Sequence, residues 1–395
     1  DTGAMSNQWA QIHVGAISSV STHVGASVRL GPVTTSLAYA HYFFPDFVSD
    51  QGSRPVVSSG GALDWVQVFP QTMPDVVVPI TVLSVAVDGT DHPVIAGSVL
   101  GAMAFSGLNL ASYQYGSGYV TRFDPAGNPL WAKVVTGPVE GGTATAGTNA
   151  SGRIIVAASG SQNPGLNPSH ILVLDSTGAP VWKKDYGSDG ITVGMHQLAM
   201  DDAGRVVLGA NTQGGNVDFG GGPVGGLQGF FVGFDAFGAY AWGKTPHRNF
   251  VLDAQGDVFA VAGGASFGCG PALAQLGKLD PAGNCLWAKA FQGMVPALLP
   301  NVSANAAAES MIVVPYSGLV DFGCGPLSSA STSLAVTKLS AAGVCLWSKS
   351  FTGAGFALDA QPRFGAKPTG GGGWVVWVGF TGEIDFGGGA LSSPV

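Results

Sequence analysis

The sequence predicts an all-β protein built from repeated four-stranded sheets, and three observations support this. Glycine provides 62 of the 395 residues, which suits many short strands joined by tight turns. Charged residues make up only 10% of the chain, which argues against long solvated helices. A hairpin pattern also recurs, most clearly in Leu276–Lys289, where an apolar strand enters Asp-Pro-Ala-Gly-Asn and leaves as Cys-Leu-Trp-Ala-Lys.

The tryptophan of this hairpin sets the length of the repeat. It recurs with gaps of 45 to 66 residues, and six of its seven copies have glycine four residues earlier. Such a period, with strand-turn-strand content, indicates one four-stranded unit per repeat and hence the blade of a β-propeller. We therefore predict seven blades, marked by Trp9, Trp65, Trp131, Trp182, Trp242, Trp287 and Trp347.

Each repeat is predicted to contain strands A to D, in the order A, turn, B, glycine loop, C, turn, D. The A–B hairpin is clearest in Leu198–Gly209, and the glycine loop follows the pattern Asp-Phe-Gly-x-Gly-Pro. The chain ends after strands A and B of a last blade and begins with a D-like strand at Trp9. Pairing the two would close the ring and remove exposed sheet edges, although no C strand for this blade is evident. We expect residues 1–5 to be a cloning scar and residues 6–395 to form one propeller domain.

The four cysteines form two pairs at matching positions of successive repeats. Cys269 and Cys285 are 16 residues apart, and Cys324 and Cys345 are 21 apart. Two disulfides within the repeats explain the match, and they predict an extracellular or cell-surface location. A zinc site is the alternative, but it lacks a Cys-x-x-Cys spacing and a nearby histidine pair.

The repeat resembles bacterial cell-surface β-propeller repeats, which combine Val-Ala-Lys-Phe-Asp-x-x-Gly-Asn-x-Leu-Trp with Asp-Phe-Gly-Gly-Gly-Pro. It is more distantly similar to the tryptophan-docking hairpins of quinoprotein-type propellers. The resemblance is clear in the last five repeats and implies a secreted or surface-attached bacterial propeller. It implies little about activity, and the quinone-binding residues of the distant relatives cannot be placed in this chain. We expect no cofactor.

The charge balance narrows the possible partners. A net charge of -8 gives no basic footprint for nucleic acid and no polybasic patch for anionic lipid. No apolar run reaches the roughly 18 residues that a membrane span needs. We expect a monomer with no nucleic-acid partner and no membrane insertion.

Three strings look like catalytic motifs, and the repeat explains each of them. Gly238–Thr245 satisfies the phosphate-loop pattern but is the turn and strand D of an ordinary repeat. Gly220–Gly225 fits the dinucleotide-binding pattern but is a glycine loop that precedes a strand rather than a helix. Ser266, in a nucleophile-elbow pattern, takes the place that aspartate has in other repeats. No glycosidase carboxylate pair or metal-binding histidine spacing is evident, so we predict neither catalytic nor metal-binding residues.

Repeated polar residues are predicted to have structural roles. A lysine stands two residues after five of the seven tryptophans, on the same strand face, and can make a cation–π contact with the ring: Lys133, Lys184, Lys244, Lys289 and Lys349. The aspartates of the C–D turns should accept backbone hydrogen bonds: Asp124, Asp175, Asp235 and Asp280. The aspartates of the glycine loops should cap loop amides, with a calcium site as the alternative: Asp218, Asp321 and Asp385.

A ligand is expected on the face that carries the variable B–C and D–A connections, because binding residues concentrate on such loops. Aromatic side chains there suit sugar stacking or a protein contact. The predicted ligand-binding residues are Tyr42, Phe44, Tyr113, Tyr115, His247 and Arg248. The alternatives are that Phe43, Phe44 and Phe47 close the degenerate first blade and that His247 and Arg248 are simply solvated.

These features predict an extracellular binding or adhesion module that recognises a glycan or a surface protein. A passive spacer within a longer surface protein is one alternative. The other is a polysaccharide-active enzyme with its site in the central channel.

Overall fold

A computed structural model of the protein describes residues 26–30, 56–57, 63–65, 81–99, 102–105, 108–111, 116–136, 142–159, 169–187, 191–225, 229–245, 249–265, 267–271, 274–291, 300–353, 357–358, 364–369 and 373–393. The regular structure in these ranges consists of β-strands, numbered β1–β32 in chain order, without a helix. Accordingly, this part of the chain contains no helix long and apolar enough to cross a membrane. The all-β prediction is confirmed.

Five antiparallel sheets have four strands each, in the predicted order A-B-C-D. Sheet 1 consists of β4 (Thr81–Val87), β5 (Pro93–Val99), β8 (Ser117–Phe123) and β9 (Pro129–Val134), and sheet 2 of β10 (Thr143–Thr148), β11 (Ile154–Ser159), β12 (Ser169–Leu174) and β13 (Pro180–Tyr186). Sheet 3 consists of β14 (Thr192–Met200), β15 (Val206–Gln213), β18 (Phe230–Phe234) and β19 (Tyr240–Lys244), and sheet 4 of β20 (Asn249–Leu252), β21 (Val258–Ala265), β22 (Ala274–Leu279) and β23 (Cys285–Lys289). Sheet 5 consists of β24 (Asn301–Ala304), β25 (Ser310–Asp321), β26 (Pro326–Leu339) and β27 (Cys345–Phe351).

A sixth sheet joins distant parts of the sequence. β29 (Phe364–Pro368) and β30 (Trp374–Val378) are its A and B strands, and β1 (Ala26–Leu30) pairs antiparallel with β30 in the place of a C strand. An N-terminal strand therefore does pair with the C-terminal strands. The pairing strand is Ala26–Leu30, whereas Trp9, which we had predicted for this pairing, lies outside the described residues.

Short hairpins complete the described strands, and most of them extend a B–C connection. They are β2 (Val56–Val57) with β3 (Leu63–Trp65), β6 (Ala102–Phe105) with β7 (Leu108–Ala111), β16 (Asn216–Asp218) with β17 (Pro223–Gly225), and β31 (Phe380–Asp385) with β28 (Ala357–Leu358) and β32 (Ala390–Ser393). In sheet 5 the hairpin of the B–C connection is part of strands B and C themselves, β25 and β26. These two are therefore the longest of the described strands.

Consecutive sheets pack face to face through apolar side chains. Val94 and Val120 of sheet 1 share a buried cluster with Ile154 and Val156 of sheet 2. Equivalent clusters join sheets 2 and 3, sheets 4 and 5, and sheets 5 and 6. Because sheet 5 packs against both sheet 4 and sheet 6, the first seven residues of β25 are buried, whereas the edge strand β27 is at least partly exposed along its whole length.

The chain forms two compact units. Sheets 1 to 3 belong to one unit and sheets 4 to 6 to the other, except that the Asp280–Asn284 turn of sheet 4 groups with the first unit. The predictions of a single domain and of seven blades stay predictions.

Candidate functional site

The predicted ligand-binding residues lie outside the described residues. Tyr42 and Phe44 precede β2 in the sequence, Tyr113 and Tyr115 fall between β7 and β8, and the pair His247 and Arg248 falls between β19 and β20. Their roles stay predictions. The described residues show instead how the two ends of each sheet are built. We call the end with the A–B and C–D turns the turn end, and the end with the B–C connections the loop end.

All five A–B turns at the turn end of sheets 1 to 5 share one backbone pattern. The first residue of each turn is aspartate or asparagine, its amide donates to the carbonyl four residues on, and its carbonyl accepts from the amide three residues on. The side-chain oxygen accepts further backbone hydrogen bonds, as short polar side chains commonly do in turns. These first residues are Asp88, Asn149, Asp201, Asp253 and Asn305.

The C–D turns repeat the same pattern, and the predicted role of their aspartates is confirmed. Asp235 Oδ1, for example, accepts from the amides of Phe237 and Ala239 at 2.9 and 2.8 Å. Asp124, Asp175 and Asp280 accept equivalent bonds. In sheet 5 the hydroxyl of Ser340 takes this place. These aspartates are thus part of the scaffold.

The strand-D tryptophans of sheets 1 to 4 dock on the C–D turn of the next repeat. A Cβ on Gly343 would lie 2.9 Å from the ring of Trp287, so only glycine leaves room for the ring. The Trp287 Nε1 donates to the carbonyl of Ala341 at 3.0 Å. Trp131 and Trp242 make the same bond to the next turn in sequence. This contact explains why glycine and tryptophan recur together.

Lys133 confirms the structural role predicted for the lysine after the tryptophan. Its Nζ lies 6.0 Å from the centroid of the Trp131 ring, within the range of a cation–π contact. The same Nζ donates to the carbonyl of Gly178 on the next C–D turn. Trp131 and Lys133 therefore both donate a hydrogen bond to the same C–D turn.

An ion pair reinforces the turn end of sheet 1. Arg122 Nη2 lies 2.5 Å from Asp88 Oδ2, and Arg122 Nη1 donates to the carbonyl of Ser176 at 2.7 Å. Both side chains of the pair are buried. Burial alone would raise the pKa of Asp88, but hydrogen bonds from Thr90, Arg122 and His92 outweigh it and lower this pKa to about 2. Asp88 is therefore charged at neutral pH, and Arg122 ties it to the next sheet.

In three sheets one carboxylate at the A–B turn is paired with one arginine or lysine. Sheet 1 pairs Asp88 with Arg122. Sheet 3 has glycine at the place of Arg122, and Asp201 is paired instead with Arg205, four residues on, at 2.6 Å. In sheet 5 the first turn residue is neutral, and Glu309 is paired with Lys338 at 2.8 Å. Each of these three carboxylates is paired with one arginine or lysine, and the turns of sheets 1 and 3 contain a further carboxylate, Asp91 and Asp202 respectively.

Sheet 4 differs from these sheets, because one lysine is paired with two carboxylates. Its A–B turn has two carboxylates, Asp253 and Asp257, and both face one ammonium group. Lys278 Nζ lies 3.3 Å from Asp253 Oδ2 and 2.8 Å from Asp257 Oδ2. The side chains of Asp253 and Lys278 are 0% and 5% exposed. The sequence analysis missed this cluster, although the basic residues Arg122, Lys278 and Lys338 all stand two residues before the first residue of a C–D turn.

At the loop end, the aspartates of the glycine loops cap loop amides as predicted. Asp321 Oδ1 accepts from the amides of Gly323 and Gly325 at 2.7 and 3.2 Å. Asp218 and Asp385 accept the equivalent pairs of bonds. The capping interpretation is confirmed, and the described residues contain no group of three or more His, Cys, Asp or Glu that could hold a metal ion.

The phenylalanines of three glycine loops pack on the preceding sheet. Phe322 lies with its ring 5.1 Å from that of Phe291, which follows strand D of sheet 4. Phe386 contacts Phe351 in the same way at 5.0 Å, and Phe219 contacts Tyr186 at 4.5 Å. An aromatic residue four places after the tryptophan is the sequence signal for this contact. The loop end is thus anchored between sheets, as the turn end is.

Both predicted disulfides are present, and they lock the glycine loop onto strand D. Cys269 pairs with Cys285, and Cys324 pairs with Cys345, with Cα–Cα distances of 5.7 and 5.5 Å. These distances are ordinary for disulfides. In each pair the first cysteine lies in the loop and the second begins strand D. The zinc alternative is wrong, because all four thiols are bonded.

The catalytic-looking strings behave as repeat elements where they are described. Gly238 closes a C–D turn and Tyr240–Lys244 is strand D, so no helix opens at the phosphate-loop lysine. Gly220–Gly222 is the tip of the hairpin formed by β16 and β17. Ser266 lies outside the described residues.

His170 belongs to a small polar group away from the turns. His170 Nδ1 lies 4.0 Å from Asp185 Oδ1, which Lys183 Nζ approaches to 2.7 Å. His170 is buried on strand C, whereas Asp185 and Lys183 are about half exposed on strand D. The lysine and the carboxylate form a surface pair of the kind that contributes little stability.

Comparison with known proteins assigns no family. No protein-family model matches the chain, and no curated protein matches it. Similar solved structures include a protein of unknown function from Bacteroides caccae (10% identity, 82% of this chain and 94% of that chain, TM-score 0.40), cobalt-substituted Synechocystis ACO (12%, 80% and 68%, 0.38) and a glucose dehydrogenase (12%, 76% and 99%, 0.32). These low identities and scores supply no site residue.

Proposed function

We propose that the protein is an extracellular binding module, a seven-bladed β-propeller that recognises a glycan or a surface protein through its loop end. The observation that carries this proposal is the contrast between the two ends of the sheets. All five A–B turns and all five C–D turns of sheets 1 to 5 repeat one hydrogen-bond pattern. The B–C connections differ: sheets 1 and 3 have a separate hairpin, and sheet 5 has a long continuous one.

This contrast suits recognition for a physical reason. Residues that vary between repeats contribute little to the scaffold and are available for a ligand, while a rigid base lowers the entropy that their ordering costs. Tryptophan docking, buried ion pairs and two disulfides provide such a base here. The disulfides also support an oxidising, extracellular location.

The loops that carry the predicted contacts leave this base at defined places. Tyr113 and Tyr115 stand in the B–C connection of sheet 1, between β7 and strand C. Tyrosine offers a large apolar ring with a polar tip, a combination suited to sugar rings and to protein interfaces. We propose these two residues as the first ligand contacts to test.

A glycan array and a pull-down with native surface partners test the proposal. Once a ligand is identified, the double variant Tyr113→Ala and Tyr115→Ala should weaken binding about tenfold or more, as truncation of an aromatic anchor does. Phe237→Ala is a matched control, because Phe237 is an aromatic residue at a C–D turn and is 83% exposed. It should leave affinity unchanged.

The outcomes separate the candidate functions. Blank results in both assays would contradict the binding proposal and favour the passive spacer. A loss of affinity in the Phe237 variant, with none in the tyrosine variant, would place recognition at the turn end instead. Turnover of a polysaccharide on the array would support the enzyme alternative.

A further inference from the structure

The buried cluster at the turn end of sheet 4 has the composition and geometry of a reactive site. Lys278 pairs across strands with Phe259 on one side and with Trp287 on the other. Its Nζ lies 4.9 Å from the centroid of the Phe259 ring. Lys278 is 4% exposed and Phe259 is fully buried. The amine and the two carboxylates therefore meet where water has little access.

The two oxygens of Asp253 have different environments. Oδ1 accepts from the backbone amides of Gln255 and Asp257 at 3.0 and 2.9 Å. Oδ2 is buried, accepts no hydrogen bond from the described residues, and lies 3.3 Å from Lys278 Nζ. One oxygen is held by two donors, as in an oxyanion hole, and the other faces the amine.

The ion pairing in the cluster also sets it apart. In sheets 1, 3 and 5 the arginine or lysine is paired with one aspartate or glutamate, whereas Lys278 is paired with two aspartates. Removing ions from water is unfavourable, and their mutual attraction in the interior offsets this cost only when the geometry is good. Converting one ammonium and one carboxylate into a neutral amide removes two buried charges and leaves Asp257 as a carboxylate.

We propose that Lys278 and Asp253 join in an intramolecular amide bond. Asp257 passes a proton from the Lys278 ammonium to Oδ2 of Asp253, which gives a neutral amine and a carboxylic acid. The amine attacks Cγ, and the negative charge that develops on Oδ1 is stabilised by the two backbone amides. Asp257 then carries a second amine proton to Oδ2, the Cγ–Oδ2 bond breaks, and water leaves. The step needs no oxidant, reductant or other reactant.

The equivalent sites in other sheets lack one part each. Sheet 1 has the guanidinium of Arg122, which stays protonated and is not a nucleophile. Sheet 5 has Lys338 beside Glu309, but these side chains are 19% and 27% exposed and no second carboxylate is paired with the lysine. A hydrogen bond from Lys338 lowers the pKa of Glu309, which keeps this carboxyl ionised. The amide is therefore expected in sheet 4 alone among the sheets described.

The amide bond would give sheet 4 a second covalent cross-link. The Cys269–Cys285 disulfide links its glycine loop to strand D at the loop end. The amide would link its A–B turn to strand C at the turn end. Both ends of one sheet would then be covalently closed.

Mass spectrometry of the full chain tests the proposal. After reduction and alkylation of the four cysteines, the intact protein should be lighter by one water, about 18 Da, than the mass calculated for the alkylated sequence. After digestion with chymotrypsin, which cleaves after aromatic residues such as Phe259 and Phe267, the peptides that carry Asp253 and Lys278 should stay joined. A chain at its full sequence mass would overturn the proposal.

Matched variants assign the chemistry. Lys278→Arg keeps the positive charge but cannot form the amide, so its mass should equal the sequence mass. Asp257→Asn leaves Lys278 facing Asp253 and should slow or abolish the loss of water. A water lost from an Asp-Gly bond, such as Asp88–Gly89, would persist in both variants and would leave the two peptides separate, which would also overturn the proposal.

Discussion

Replacing Gly343 with alanine tests how far tryptophan docking, rather than turn geometry alone, stabilises the protein. Gly343 has φ of +75°, a conformation that costs alanine about 1–2 kcal/mol. Its Cβ would in addition lie 2.9 Å from the Trp287 ring. Displacing a packed ring in this way costs a further 1–3 kcal/mol, about the range found for overpacked sites. We expect Gly343→Ala to lower the free energy of unfolding by about 2–5 kcal/mol.

Gly318 provides a control with nearly the same backbone. Its φ is +78°, but no heavy atom lies within 4 Å of the position that a Cβ would take. Gly318→Ala should therefore lose only the backbone contribution, about 1–2 kcal/mol. The difference between the two variants isolates the ring contact, because both glycines belong to sheet 5 and its turns.

Urea unfolding followed by tryptophan fluorescence and circular dichroism provides the comparison, with midpoints and slopes measured for each variant. If the two probes do not coincide, hydrogen exchange of the β27 amides gives the local value. Equal losses in both variants would refute the reasoning, since the ring would then contribute nothing. Trp287→Phe, which loses the bond to Ala341, should by itself cost about 1 kcal/mol.

Two further predictions concern the contacts that stabilise the loop end and the turn end of the sheets. Replacing both Cys324 and Cys345 by serine should lower the free energy of unfolding by about 3 kcal/mol, the loop-closure value for a loop of their spacing. Unfolding of the protein with and without a reductant measures this loss. A loss below about 0.5 kcal/mol would contradict the prediction. Asp88 has a lower pKa in the folded state than in the unfolded state, so its contribution is complete above about pH 4 and is lost as the pH falls towards 2. Asp88→Asn should make stability less dependent on pH in that window, and an unchanged pH profile would contradict this.

The strands and turns could be predicted from the sequence because their signals are local. The glycine four residues before Trp347 marks a turn, and the two residues lie on the same hairpin. The docking partner of Trp287 could not be predicted, because Gly343 belongs to the next repeat and no local pattern identifies it. Ala26–Leu30 carries no tryptophan or turn glycine, and only backbone pairing with β30 reveals its place.

The candidate site was harder to predict for two different reasons. Lys278 stands between Gly277 and Leu279 on strand C and looks like a solvated lysine in the sequence. Its burial follows from β21 and β23 on either side and from the turn that contains Asp253 and Asp257. The predicted ligand contacts, such as Tyr113, lie on connections that do not repeat, so no comparison between repeats constrains them.

The two disulfides occupy the position at which sheet 3 has the ring of Tyr240. The contact between the glycine loop and strand D therefore matters more than the chemistry that makes it. The loop cysteines Cys269 and Cys324 align with Gly221 of sheet 3, and their partners align with Tyr240, two residues before the tryptophan. A Cβ on Gly221 would overlap the Tyr240 ring, so the ring lies over the loop where sheets 4 and 5 have a disulfide. Because both solutions hold the glycine loop against strand D, the B–C connections start from a fixed base in all three sheets. A ligand site built from these connections would then depend on which residues they carry and little on where they begin.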